Sequence, residues 1–406
     1  MNESATPLNP DIGWYVHLPF CRTKCGYCDF YSLPTISTLI PDLVAAILHE
    51  LTTRNPGRGV RTIFVGGGTP TELPAENLDE LLGTIGRMAG NRVVEWTVEA
   101  NPTSASELKL DVLRNRGVNR VSFGAQSFFA DELQVLERIH DPSHIPESVA
   151  AARRAGIDNV NIDLIYGIPG QSMERWRESL KRAVDLGTDH LSCYGLMYEP
   201  GTAMTKFREQ GRITPCDESL EADMFEATID VLGDAGYEHY EVSNFAKPGR
   251  RCEANLIYWR NEEYLGVGPS AVSYVDGLRR KNVADVRKYV ARVVENVDEI
   301  IIESESLNSI ARAGETAIQM LRLIDGIDRH QFTATTGFDA CALFADAIAE
   351  TQAAALIDVN DSAIRLTRRG LLLSNYVMRA FLACVQDESA ETTQGRFVTL
   401  NVDRNE

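Results

Sequence analysis

Three cysteines near the start of the chain are spaced so that one short loop could carry all of them. Cys21, Cys25 and Cys28 form a Cys-x3-Cys-x2-Cys motif, and none of the other five cysteines lies close enough in sequence to extend it. A structural zinc ion takes four protein ligands, and an ordinary ferredoxin-type cubane takes four cysteines. Three thiolates therefore suit an iron–sulfur cubane that leaves one iron open to bind a substrate.

The spacing of the three cysteines is also compatible with a disulfide bond or a zinc site. A disulfide with one spare thiol would need an oxidising compartment, yet no apolar signal segment precedes the motif. A zinc ion would need a distant fourth ligand, which Cys193, Cys216 or Cys252 could supply. The spacing favours the open cubane over both.

Composition and charge narrow the class of protein. The chain has 406 residues and 44% hydrophobic content, with no apolar run as long as a membrane-spanning helix. Its net charge of −18 creates a field that repels phosphate backbones, so a nucleic-acid partner is not expected. We expect a cytoplasmic protein with at most peripheral membrane contact.

Strand-like segments alternate with helix-length connections, which predicts an α/β fold built from parallel βα units. The six segments are Trp14–Leu18, Arg61–Val65, Val93–Val98, Arg120–Phe123, Val160–Ile165 and His190–Leu196. Glycine-rich or polar stretches follow the segments, at the rim where barrel folds bind ligands. Six units rather than eight predict an incomplete (β/α)6 TIM-like barrel, which strands near Glu241–Ser243 could widen.

The pattern changes after about residue 300. Helices predicted at Ala311–Leu323, Ala340–Ala353 and Leu371–Cys384, with two short strands in Ala355–Leu366, follow the order of a winged-helix-like module. We divide the chain into a partial barrel (1–240), a connecting region (241–300), a C-terminal winged-helix-like domain (301–386) and a polar tail (387–406).

Several rim residues could bind one ligand. The triple glycine Gly66–Gly68 lets the backbone pass close to a ligand, although it could equally form a plain tight turn. Glu99 and Asp163 stand at strand ends, where a buried carboxylate is costly unless it faces a polar ligand or a cation. Gln126 also follows a strand. Arg138, predicted to lie in a helix, could clamp a carboxylate or form a surface salt bridge.

Together these motifs resemble the radical S-adenosylmethionine (SAM) signature. The segments that carry the resemblance are Tyr15–Phe20, Cys21–Cys28, Gly66–Thr71, Val121–Phe128 and Asn161–Gln171. More narrowly, the chain resembles the oxygen-independent coproporphyrinogen III oxidase family, and within it the branch of the heme chaperone HemW. The resemblance runs over residues 14–382.

The resemblance implies two cofactors and their sites. Cys21, Cys25 and Cys28 would hold a [4Fe-4S] cluster, whose open iron would bind the amino and carboxylate groups of SAM. The residues implied to line the SAM site are Tyr15, Gly67, Gly68, Thr69, Glu99, Gln126, Arg138 and Asp163. A reductant protein would supply the electron for splitting SAM, and the chain would contribute positioning, electrostatics and exclusion of water.

Two branches of the family differ in function. The signature of the oxidases resembles Cys-x3-Cys-x2-Cys-x-Cys. This chain has Phe30 where that signature has its fourth cysteine. Asp29–Tyr31 and Tyr240–Gly249 are typical of the chaperones. We therefore predict a heme chaperone that transfers heme to an acceptor protein, without coproporphyrinogen dehydrogenase activity. The alternative is an oxidase-like radical enzyme acting on a porphyrin or another small molecule.

One stretch departs from the chaperone pattern. The chaperones carry a His-Asn-x-x-Tyr-Trp stretch proposed to hold heme, and this chain has Ala254 in place of that histidine. Gly268–Ser273 also lacks a second histidine and is closer to the oxidases. Cys252 and, more weakly, Tyr258 remain as heme-ligand candidates, although a buried structural cysteine is the commoner case.

Overall fold

The structure is a computed structural model that describes residues 11–386. Its strands are β1 (Ile12–Leu18), β2 (Phe20–Cys21), β3 (Leu33–Pro34), β4 (Val60–Gly67), β5 (Glu95–Ala100), β6 (Arg120–Gln126), β7 (Asn159–Tyr166), β8 (His190–Gly195), β9 (Glu238–Glu241), β10 (Asn244–Ala246), β11 (Tyr264–Val267), β12 (Val272–Val275), β13 (Leu278–Asn282), β14 (Ile301–Ser306), β15 (Ile327–Asp328), β16 (Ile357–Val359) and β17 (Ala363–Leu366).

The helices connect these strands along the chain. They are α1 (Ile40–Arg54), α2 (Ala75–Ala89), α3 (Glu107–Asn115), α4 (Ala130–Val135), α5 (His144–Arg154), α6 (Met173–Asp185), α7 (Ala203–Glu209), α8 (Glu218–Asp234), α9 (Glu253–Trp259), α10 (Val286–Glu295), α11 (Ser309–Met320), α12 (Arg329–Thr336), α13 (Ala340–Leu343), α14 (Ala345–Ala353), α15 (Arg368–Leu372) and α16 (Ser374–Ala383). Over residues 11–386, none of them has both the length and the apolar character to cross a membrane.

One sheet forms the barrel, in the order β14-β13-β12-β11-β1-β4-β5-β6-β7-β8-β10-β9. Its central strands β1 and β4 to β8 pair in parallel, each with its neighbour. These six strands are the ones that the sequence predicted, so the incomplete (β/α)6 barrel is confirmed.

Alternation along the strands separates an apolar face from a polar one. On β1, the side chains of Trp14, Val16 and Leu18 are fully buried in the main hydrophobic core. Tyr15 and His17 lie on the opposite face of the same strand and bond to each other. The helices therefore cover the apolar face, and the barrel lumen is lined by polar side chains.

Additional strands widen the sheet at both edges. β11 pairs in parallel with β1, and β12, β13 and β14 continue from it in antiparallel order. β9 and β10 form an antiparallel hairpin beside β8, where the sequence predicted widening near Glu241–Ser243. The segment 241–306 thus supplies strands to the main sheet, and the proposed domain boundaries stay a prediction.

The C-terminal domain combines helices α11 to α16 with the small sheet β15-β17-β16, which is the winged-helix arrangement expected from the sequence. The segment after α11 also pairs with the barrel. Val242 N donates to Arg322 O at 3.0 Å, and Ile324 N donates to Tyr240 O at 3.1 Å. These bonds join the domain to the edge strand β9. The predicted polar tail lies outside the described residues.

A buried carboxylate connects α1 to the added strands. Glu50 has no exposed surface, and it accepts hydrogen bonds from Arg54 (2.6 Å), Asn282 (2.8 Å), the Gly268 amide (2.8 Å) and the Tyr289 hydroxyl (2.6 Å). Burial raises the pKa of Glu50, and the nearby Arg54 charge opposes that rise. Four donors therefore stabilise one charge inside the protein.

We expect Glu50→Ala to lower the free energy of unfolding by about 3–5 kcal/mol, because it leaves Arg54 and three donors buried without their acceptor. The urea midpoint, followed by circular dichroism, measures the loss. The matched control is Asp79→Ala, which removes an exposed ion pair with Arg116 and should change the midpoint little. Equal shifts in the two variants would contradict a structural role for the buried network.

Candidate cofactor site

The cysteine loop follows β1 and is closed at its base by a two-stranded ribbon. β2 pairs with β3, while the backbone amides of Leu33 and Thr35 donate to the carbonyls of Pro19 and Cys21 at 2.9 Å. The three loop cysteines are free thiols of intermediate burial. The ribbon therefore holds three sulfur atoms on one short, anchored segment.

Two polar side chains contact the thiols. Cys21 Sγ lies 3.6 Å from Thr69 Oγ1, and Arg138 Nη1 donates to Cys25 Sγ at 3.5 Å. Burial raises the pKa of the Cys21 and Cys28 thiols, so the free thiols are protonated at neutral pH. A bound metal would replace those protons.

The donor set fits a [4Fe-4S] cluster better than a zinc ion. Cys193 and Cys252, two candidates for a fourth zinc ligand, are buried in hydrophobic clusters. The loop itself supplies three soft thiol donors, which is the number that a cubane with one open iron takes from the protein.

Glycines allow the end of β4 to pass close to β1. A Cβ at Gly67, where φ is +97°, would lie 2.3 Å from ring atoms of His17, and a Cβ at Gly68 would lie 2.6 Å from Leu18 O. The Gly68 amide donates to that same carbonyl at 2.7 Å. This close approach, which no larger residue permits, brings Thr69 against the cysteine loop.

Two carboxylates face the lumen near these glycines. Glu99 accepts a hydrogen bond from Gly67 N at 3.0 Å, and Asp163 accepts one from Asn161 Nδ2 at 2.8 Å. Burial, followed by the charge of Asp163, raises the pKa of Glu99 to about 8, and burial also raises the pKa of Asp163. A cationic ligand in the lumen would favour the ionised form of both groups.

Gln126 and Arg138 both lie against Gly124, next to the cysteine loop. Gln126 follows a bulge in β6 and has a φ of +66°. Arg138 Nη2 donates to the Gly124 carbonyl, and Arg138 Nε is buried without a hydrogen-bond partner among residues 11–386. A buried donor of this kind can bind a ligand carboxylate.

The predicted helix does not extend to Arg138. α4 ends at Val135, and Glu137 adopts a φ of +56°, which no helical residue has. This turn directs Arg138 toward Cys25 rather than along a helix surface. The surface salt bridge considered from the sequence is therefore excluded for this side chain, which is bonded inside the site.

His17 is a residue of the site that sequence reasoning missed. Its Nε2 lies 2.9 Å from Tyr31 O, and its Nδ1 lies 2.9 Å from the Tyr15 hydroxyl. Because a carbonyl only accepts, Nε2 carries the proton, and Nδ1 accepts from Tyr15. Burial lowers the pKa of His17 to about 4, so the ring is neutral. The alternation of Tyr15 and His17 along β1 was the available signal.

The structure brings the eight predicted SAM residues to one region. Direct contacts join Glu99 to Gly67, while the cysteine loop contacts Thr69 and Arg138. Burial raises the pKa of the Tyr15 hydroxyl, and the nearby Glu99 adds to that rise. Their role in binding SAM stays a prediction, and this grouping supports it.

Of the two candidate heme ligands, Tyr258 lies beside the predicted SAM site: burial raises the pKa of its hydroxyl, and the nearby Tyr264, Tyr15 and Glu99 add to that rise. The other candidate, Cys252, directly precedes α9. Cys252 Sγ donates to Glu95 Oε1 at 3.4 Å, and the amides of Glu253 and Ala254 donate to the same carboxylate at 3.0 and 3.1 Å. Glu95 thus caps the N-terminus of α9. Cys252 is fully buried, and burial raises its pKa, which matches a structural cysteine and argues against a heme thiolate.

Replacing any one of Cys21, Cys25 and Cys28 by alanine should remove most of the iron bound after anaerobic reconstitution. The wild type should hold about four irons per chain, because one cubane contains four. Iron and zinc are measured together by mass spectrometry. Cys384→Ala, which lies in the C-terminal domain, is the matched control and should keep its iron. Stoichiometric zinc in the wild type would contradict the cluster assignment.

SAM affinity should increase as the pH rises toward about 8. Glu99 is protonated below its raised pKa, so binding of cationic SAM beside it requires the loss of a proton. For each pH unit below about 8, the affinity for SAM should therefore fall by up to about tenfold. Equilibrium dialysis from pH 6 to 9 measures the slope. The SAM amine titrates in both proteins, so Glu99→Gln isolates the carboxyl contribution. An identical slope in that variant would refute the role of Glu99.

Comparisons with known proteins agree with this geometry. Residues 15–183 match the radical SAM superfamily, and residues 307–373 match the HemN C-terminal domain. The solved structure of coproporphyrinogen III oxidase HemN from Escherichia coli, a radical SAM enzyme, superimposes with a TM-score of 0.79. It is 26% identical, and the match covers 94% of this chain and 91% of that one.

The similarity to curated proteins extends over almost the whole chain. The heme chaperone HemW of Bacillus subtilis is 34% identical over 91% of this chain and 98% of its own length. HemW of Escherichia coli is 33% identical over 92% of this chain and 99% of its own length. The chain therefore belongs to the HemW family of radical SAM proteins.

Proposed function

We propose that this protein is a heme chaperone that binds a [4Fe-4S] cluster and SAM and transfers heme to an acceptor protein. The observation that carries the proposal is the end-to-end similarity to curated heme chaperones, at 34% identity over 91% of the chain. If the similarity were confined to the barrel, it would support only the binding of the cluster and SAM. The aligned region is long enough to include the added strands and the C-terminal domain as well.

Different residues of the site would bind the cluster and SAM. The three loop cysteines would ligate the cluster, which supplies an electron for cleaving SAM when it is bound. Glu99 and Asp163 would face the polar or cationic groups of SAM, and the free Arg138 Nε–H would meet its carboxylate. Tyr15 donates its proton to His17, so its oxygen keeps lone pairs for a ligand donor.

Phe30 supports the chaperone over the oxidase. It occupies the position of the fourth oxidase cysteine, and 68% of its surface is exposed. A phenyl ring cannot ligate iron, and its exposure shows that the ring does not fill the core of the site. The chain thus lacks the thiol that the oxidases place there.

An oxidase-like radical enzyme acting on a porphyrin is the second candidate. Two observations favour it: the segment Gly268–Ser273 is closer to the oxidase pattern, and the HemN structure has the same fold. We rank it second because the identity to that oxidase is 26%, against 34% to the curated chaperone.

Heme would have to bind without the family histidine. Ala254 is 3% exposed, lies in a small cluster with Tyr240 and Leu256, and is held by Glu95. Its methyl side chain has no donor atom and cannot ligate iron. We infer that heme is held by other groups of the protein, with Cys252 serving the structure of α9 instead.

The proposal implies three kinds of partner: heme, a heme-acceptor protein and a reductant protein for the cluster. We also infer a cytoplasmic location with at most peripheral membrane contact. No spanning helix occurs among residues 11–386, which is compatible with that location. The net charge of −18 disfavours a nucleic-acid partner.

The decisive experiment titrates reconstituted protein with heme and, separately, incubates it with coproporphyrinogen III, SAM and dithionite under anaerobic conditions. We expect a saturable Soret band in the first assay and unchanged coproporphyrinogen in the second. Cys252→Ala should reproduce the wild-type spectrum and affinity, because its thiol is buried on Glu95. Harderoporphyrinogen or protoporphyrinogen among the products would overturn the chaperone function, as would a heme spectrum unaffected by the protein.

A further inference from the structure

A cleft opens beside the cysteine loop, outside the predicted SAM site. It has a volume of about 620 Å³ and lies between the loop and the segment that carries α7. Cys25 and Cys28 form part of one wall, and Lys206, Phe207 and Arg212 form part of the other. None of the eight predicted SAM residues lines it. The cleft therefore gives access to the cysteines from a second direction.

The backbone holds the two walls together. The Met204 amide at the start of α7 donates to Gly26 O in the middle of the loop at 2.9 Å. The side-chain hydroxyl of Thr202 caps this helix. The cleft is thus built from anchored segments, and its wall residues keep a defined position relative to the thiols.

Cationic side chains are concentrated around this cleft. The two wall segments, 21–30 and 200–212, carry Arg22, Lys24, Lys206, Arg208 and Arg212, against Asp29 and Glu209. Glu137 adds a third carboxylate to the cleft lining. A local excess of positive charge remains, although the whole chain carries −18.

Three of these cations have no ion pair within residues 11–386. In the part of the chain that the structure describes, no carboxylate lies within salt-bridge distance of Lys24, Lys206 or Arg212, and all three are exposed. Unpaired exposed arginines also occur elsewhere among residues 11–386, so the distinguishing feature of this cleft is that three unpaired cations line it together. Unpaired cations in an acidic protein attract an acidic partner to that place.

Aromatic side chains accompany the charges. Phe30 is 68% exposed at the end of the loop, and Lys24 Nζ donates to its carbonyl at 3.1 Å. The guanidinium of Arg212 lies 4.0 Å from the centroid of the Phe207 ring. Exposed aromatic and arginine side chains are enriched in protein–protein interfaces and supply much of their binding energy.

We propose that Lys24, Phe30, Lys206, Phe207 and Arg212 form the docking face for an acidic one-electron carrier protein. This inference rests on the proposed function, since it requires the cluster on the loop. The carrier loses one electron and the cluster gains it, with no bond formed and no proton transferred. Electron transfer weakens steeply with distance, and this cleft exposes the walls that hold two of the three cluster ligands.

The test uses a flavodoxin, an acidic flavin-mononucleotide protein, as the carrier. Its fully reduced form is mixed with reconstituted protein in a stopped-flow instrument, and bleaching of the cluster absorbance gives the second-order rate constant. Lys206→Glu/Arg212→Glu should lower this constant about tenfold at low ionic strength, and added salt should shrink the difference. Titration calorimetry with oxidised flavodoxin and protein without cluster should show a matching loss of affinity.

Two controls separate docking from other effects. Arg87→Glu/Arg114→Glu changes the net charge equally at exposed positions near the C-terminal ends of α2 and α3, and should react like the wild type. The methyl viologen radical cation, a small donor of opposite charge, should reduce the cluster of every variant without slowing. Equal slowing in both double variants, or slowing with viologen, would overturn the docking face.

The remaining outcomes also discriminate. Unchanged calorimetric affinity in Lys206→Glu/Arg212→Glu refutes the docking face even if the chain binds no iron, whereas absence of iron refutes the proposed function. Heme titration of the same variant tests whether the cleft holds porphyrin propionates. Lost heme affinity with an unchanged flavodoxin reaction would assign the cleft to heme and overturn the proposal.

Discussion

The geometry of the site depends on glycines at the end of β4, where the backbone lies too close to β1 for any side chain. Because Gly67 and Gly68 lack a Cβ, the strand can lie against His17 and the Leu18 carbonyl. The same close approach directs the Gly67 amide at Glu99 and brings Thr69 to the thiols. Cluster ligands and lumen carboxylates thus belong to one site because two residues are small, and a methyl group at either position would separate them.

Buried hydrogen bonds organise the inside of the barrel. Asp163 is held by Asn161 and Ser122, while Glu95 caps α9 through three donors. A buried carboxylate persists only where donors surround it, so each network fixes the backbone segments that supply them. The replacement of the family histidine by Ala254 falls inside such a network. The change therefore removes an imidazole from this position while the backbone at the start of α9 keeps its anchor on Glu95.

Sequence patterns predicted the six parallel strands and the residues at their ends, because apolar runs and glycine-rich turns are local signals. The pairing of β11 with β1 was not predicted, since it joins distant parts of the chain. His17 was missed because its role depends on the Tyr31 carbonyl, which only the folded loop brings near. Arg138 was placed in a helix because a glutamate such as Glu137 rarely signals a positive φ.

The pairing of the C-terminal domain with β9 has a consequence for the integrity of the sheet. An edge strand exposes unpaired amides and carbonyls, which offer a template for aggregation. Here the bonds of Val242 and Tyr240 to the segment around Leu323 occupy part of that edge. The C-terminal domain therefore also acts as a cover for the barrel, and a barrel expressed without it would present a bare strand edge to other copies.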